Sequence, residues 1–110
     1  MIRKFGKTVL PLNCDKDKIN ELIDLIIFSF GDSFSFKSLC QDFKGKAEQE
    51  NLFKKEANTE YSNIELNSEA IISINKIIWD KIWNKELIID LYADTYHQYP
   101  NDFVLIKMKD

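Results

Sequence analysis

"LIIFSFGDSFSFKSLC", residues 25–40, sets four phenylalanines within nine positions around a Gly31-Asp32 step, and the fold turns on how that step is read. Taken as a break between two helices, it explains both flanks. Upstream, Ile19, Leu22, Ile23, Ile26, Ile27 and Phe30 recur at the i, i+3, i+4, i+7, i+8, i+11 spacing of an amphipathic helix. Asp15 or Asp17 can cap its start, because a carboxylate accepts the free N–H groups and complements the positive end of the helix dipole. Gly31 ends it. At about 100° per residue, Phe30 points inward, while Phe28 shares with Asp17, Glu21 and Asp24 the stripe opposite the apolar face. Downstream, Asp32, Ser33 or Ser35 can cap a shorter helix through Phe36, Leu39, Cys40 and Phe43, predicted to stop at Lys44-Gly45-Lys46. Those rings read as core, whereas a bare Phe28 among three carboxylates would be an anchor for a partner.

Working outward, residues 4–12 alternate as a first strand with Pro11 near its end, which suits an edge position. Residues 47–59 are polar apart from Leu52 and Phe53 and read as a helical turn or a long loop. Tyr61, Ile64 and Leu66 give a short strand signal, and Asn67 or Ser68 caps a third helix. In that helix Ile71, Ile74, Ile78 and Ile82 form the predicted inner row, flanked by Ile72, Trp79 and Trp83, with Trp79 expected in the core and Trp83 nearer the polar edge. Residues 87–94 and 102–109 read as a C-terminal hairpin. Strand parity there is expected to turn Leu87, Ile89, Leu91, Ala93, Val104, Ile106 and Met108 inward and Ile88, Asp90, Tyr92, Asp94, Phe103, Leu105 and Lys107 outward. The expected fold is thus α+β, a single domain over 1–110 in the order β-α-α-β-α-β-β, with a mixed or antiparallel sheet, helices mainly on one face and a C-terminal β-hairpin.

The totals agree with one folded domain. A chain of 110 residues buries roughly 65% of the surface it exposes unfolded, and 45% apolar content with only 3 Gly and 2 Pro is too hydrophobic for a disordered segment. No stretch approaches membrane-spanning length, and the start lacks the apolar region of a signal peptide, so the cytosol is the default location. Cys14 and Cys40 have no CxxC pairing; two free thiols are the commoner arrangement in a reducing compartment, although the spacing leaves one disulfide open.

Charge narrows the partner. Arg3 is the single arginine beside fourteen lysines, so the forked geometry that reads phosphates and guanine occurs once, and direct nucleic-acid binding is not expected. Residues 1–55 hold 10 basic and 8 acidic groups and residues 56–110 hold 5 and 10, so +2 faces −5. Within residues 56–69, Glu56, Glu60, Glu65 and Glu69 have no basic residue among them, which makes either a solvated edge or an anionic docking surface.

Chemistry is poorly supplied. His97 is the lone histidine, on a Pro-containing loop with Asp94, Tyr96 and Tyr99 but no nucleophile in a characteristic turn. Asp90, Asp94, His97 and Asp102 lack the spacing of a calcium loop or a zinc helix, and no glycine-rich phosphate loop is present. No cofactor, metal site or catalytic residue is expected, so the chain reads as a non-enzyme. A small carboxylate-dependent enzyme is the remaining catalytic alternative.

A compact, acidic, cysteine-poor domain of this size and element order resembles the immunity proteins that bacteria encode beside a toxin, including those of contact-dependent growth inhibition. The resemblance implies a cytosolic antidote that binds a cognate toxin domain and covers its active site, often the basic cleft of a nuclease. Carboxylates can substitute there for phosphates, with aromatic rings supplying a desolvated centre. Three patches offer both: Asp17, Glu21, Asp24 and Phe28; Glu56, Glu60, Tyr61 and Glu65; and Asp90, Tyr92, Asp94 and Phe103. The alternative in the same class is another interaction or assembly module, such as a phage-encoded inhibitor or a homo-oligomer building block.

Overall fold

A computed structural model of the chain describes residues 3–57, 59–90 and 103–108, with only the backbone described at 3–7, 60 and 62. Eight elements follow one another: β1 (Arg3–Leu10), α1 (Lys16–Ser29), β2 (Ser33–Ser35), α2 (Phe36–Gln49), β3 (Thr59–Leu66), α3 (Ser68–Trp83), β4 (Leu87–Ile89) and β5 (Val104–Lys107). The fold is α+β in the expected order, with β2 as an extra short strand between the first two helices.

The strands form two small sheets. β1 and β3 pair in parallel, Thr8 opposite Ile64 and Leu10 opposite Leu66. β2, β5 and β4 form an antiparallel sheet with β5 in the middle, and its β4–β5 pair is the predicted hairpin. β2 exists because Phe34 alternates with two serines, burying the ring while the backbone pairs with Val104 to Ile106.

One hydrophobic cluster joins both sheets to the three helices. α1 contributes Ile19, Leu22, Ile23 and Ile26; α2 contributes Phe36, Leu39, Phe43 and Ala47; α3 contributes Ala70, Ile74, Ile77 and Ile78. Phe30 stacks on Phe34 with ring centroids 5.0 Å apart, so the opening run of phenylalanines does fill the interior, Phe28 excepted.

Three expectations are corrected. α2 does not stop at Lys44-Gly45-Lys46 but runs to Gln49, because Ala47 continues the buried row of Phe36, Leu39 and Phe43. The chain then turns through Asn51 at φ 56°, with Leu52 N–H bonded to Ala47 O at 2.8 Å and Asn51 N–H to Glu48 O at 3.2 Å, a paired closure of the last helical turn. α3 is rolled by roughly 60° from the predicted face: Ala70 and Ile77 join the inner row, Ile71 is exposed, and Trp79 is half exposed instead of core. The interior already takes four buried phenylalanines, 34, 36, 43 and 53, and a row of isoleucines completes it without two further indoles. Finally, β5 faces the other way. Leu105 is fully buried and Phe103 packs inward, stacked on Phe36 at 5.0 Å, because Ile89 pairs with Leu105 in place of the assumed register.

Candidate functional site

α1 carries one of the two most exposed aromatic rings among the described residues. Asp15 is its cap, accepting from Lys18 N–H at 2.9 Å, and the helix closes where Phe30 N–H bonds to Ile26 O and Ile27 O. With one face buried, Asp17, Glu21, Asp24 and Phe28 all reach solvent on the other, and Phe28 is 87% exposed. An isolated ring left this bare in a small domain is worth explaining, since most large aromatics find cover.

Its charges are partly neutralised. Glu21 lies 3.7 Å from Lys18, which also holds Glu50 at 2.9 Å. The hydrogen bond to Glu50 is the main reason the Lys18 amine is pushed above its ordinary value. Asp24 reaches across to Lys81 of α3 in a direct ion pair. Asp17 has no ion-pair partner among the described residues.

The Asp24–Lys81 link spans a seam between α1 and α3. Two adjoining grooves of about 490 and 410 Å³ run along it and share Lys81, Asn84 and Glu86. Phe28 stands at one end with Lys85, Lys107 and Met108; Asp17 and Asn20 stand at the other, opposite Asp80. Lys107 Nζ donates to Phe30 O at 2.6 Å, which ties β5 to the closing turn of α1. Across the groove, α3 ends through Lys85 at φ 63°, where Lys85 N–H bonds to Ile82 O and Glu86 N–H to Lys81 O.

The other two predicted patches come apart. Tyr61 is packed against the core and its hydroxyl accepts from Glu56 N–H at 3.3 Å; Glu65 pairs with Lys44 at 3.5 Å; Glu56 is exposed, and the side chain of Glu60 lies outside the described residues. Asp90 is half-buried at the end of β4, its N–H bonded to Val104 O at 2.8 Å. Phe103, expected outward, is turned inward as described above, because the observed register puts it on the face of Leu105. Tyr92, Asp94, His97, Tyr99 and Asp102 lie outside the described residues.

Sequence reasoning underrated the outer face of α3. Trp83 is 87% exposed, and Asp80 and Glu86 line the α1–α3 grooves. The signal was present: Ile72, Lys76, Trp79 and Trp83 are spaced i, i+4, i+7, i+11, a second stripe on the helix. Cys14 and Cys40 are both half-buried thiols outside any disulfide. Burial first, and the Asp15 carboxylate second, push the Cys14 thiol above its ordinary value. Among the described residues no group of three or more His, Cys, Asp or Glu side chains could hold a metal, and no helix is long and apolar enough to cross a membrane. No family model, no curated protein and no solved structure matches the chain.

Proposed function

We propose that the chain is a protein-binding antidote of the immunity type, which docks the outer face of α1 against a cognate toxin domain and covers its active site. The observation that carries the reading is Phe28, 87% exposed beside Asp17, Glu21 and Asp24. A ring so placed contributes to binding only when a partner desolvates it, and aromatic anchors ringed by polar groups supply most of the energy of such interfaces. The carboxylates favour a basic partner and raise its rate of encounter, so a nuclease with a cationic cleft is the preferred target, met in the cytosol. No catalytic step is assigned to the chain. Asp17 is the charge best placed to meet the partner, because Asp24 is engaged by Lys81 and Glu21 by Lys18.

Co-expression tests this. The proposal requires a toxin domain encoded next to the chain; cells producing that domain are expected to survive when the chain is present, and the Phe28→Ala, Asp17→Lys double variant is expected to lose that protection while remaining folded. Failure of the unaltered chain to protect against that domain, or full protection by the double variant, would count against the proposal.

A further inference from the structure

α3 carries its second stripe on the side away from the core. Ile72, Trp79 and Trp83 are 53%, 50% and 87% exposed, and with Lys76 they fall within about 60° of one another on the helix. Together the three apolar side chains expose on the order of 400 Å², about half of what each partner gives to a standard interface. Lys76 and Asp80 flank them, and neither has an ion-pair partner among the described residues.

We propose that this stripe binds a second copy of the chain, with the two α3 helices antiparallel about a two-fold axis at the level of residue 78. Of the two-fold pairings, the antiparallel one makes the charges self-complementary and the in-register parallel one does not. Lys76 and Asp80 lie equally far on either side of residue 78, so each Lys76 meets Asp80 of the second copy and the contact is made twice. A parallel pair would set Lys76 beside Lys76 and Asp80 beside Asp80. The same axis brings Trp79 close to its own counterpart. Trp83 of the second copy arrives level with residue 73, beside a groove of about 470 Å³ lined by Ile72, Asn75, Lys76, Trp79 and Asp80, with Lys16 of α1 at its side. These contacts use none of Asp17, Glu21, Asp24 and Phe28; Asp80 also lines the groove opposite Asp17, so Trp83, which lines neither α1–α3 groove, is the residue that separates dimer formation from toxin binding.

Sedimentation equilibrium of the full chain over a wide range of concentrations tests the dimer. The unaltered chain is expected to pass from one chain mass to two as concentration rises. Trp83→Ala is expected to weaken self-association by about 30-fold or more, as loss of an interface anchor does. Lys76→Asp and Asp80→Lys are each expected to weaken it roughly tenfold, since two attractive contacts become repulsive. The double variant K76D/D80K restores both contacts and is expected to return to the original dissociation constant. A monomer at every concentration would overturn the proposal, as would a dimer indifferent to Trp83→Ala, or single charge variants that the double does not rescue.

Discussion

Lys85 holds a left-handed backbone conformation, φ 63°, at the end of α3. An L side chain there carries a steric penalty of about 1–2 kcal/mol that glycine avoids, although glycine loses more backbone entropy on folding. Lys85→Gly is therefore expected to raise stability by about 0.5–1 kcal/mol, read as a higher urea midpoint with unchanged slope. Cys14 gives a second prediction at this scale. Its folded pKa lies above the unfolded one because burial and Asp15 disfavour the thiolate. The associated stability is complete below the unfolded thiol pKa and is lost as pH rises from there through the folded value. Alkylation of Cys14 in the folded chain is accordingly expected to rise at higher pH than that of an unfolded control peptide. Single side chains were legible where helical geometry fixed them: the inward Phe30 and outward Phe28 follow from their offset to Ile19, Ile23 and Ile26. Trp79 was not, since bulk and apolarity argue for the core and only the filled interior argues against it.

Among the elements, α2 is the clearest case of tertiary packing overriding a local stop signal. Gly45 lies inside the helix without left-handed geometry, and a Cβ added there would meet nothing within 4 Å. Gly45→Ala is expected to stabilise the chain by about 0.5–1 kcal/mol, measured by denaturant unfolding. A loss of stability would mean that the helix does break at Lys44-Gly45-Lys46. α1 and α3 were readable because their caps and apolar rows agree, Asp15 before one and Asn67 before the other. β2 was hidden by its length: three residues, one of them also the α2 cap, give no periodicity to detect. The facing of β5 was hidden for a different reason. Val104 to Ile106 put apolar side chains on both parities, so only the pairing with β4 decides which face is buried, and β4 and β5 lie too far apart in sequence for a short turn signal to fix that pairing.

For the molecule as a whole, local sequence set the inventory of elements and left their assembly open. Nothing in residues 3–10 or 59–66 announces that these strands pair in parallel, because the pairing is made across two helices and a short strand. Of the three acidic and aromatic patches, one survives with its aromatic bare; in the others Tyr61 and Phe103 turn toward the core. Helical periodicity reads one face of one element, whereas a patch built from strands depends on register. The central claim is therefore confined to the outer face of α1. Its most direct test is calorimetric titration of the chain into a catalytically inactive form of the toxin domain proposed as its partner, comparing the unaltered protein with Phe28→Ala. Tight binding by the former and an affinity at least about 30-fold weaker for the latter, at unchanged folding stability, is the predicted result; equal affinities, or no binding by either, would contradict the account.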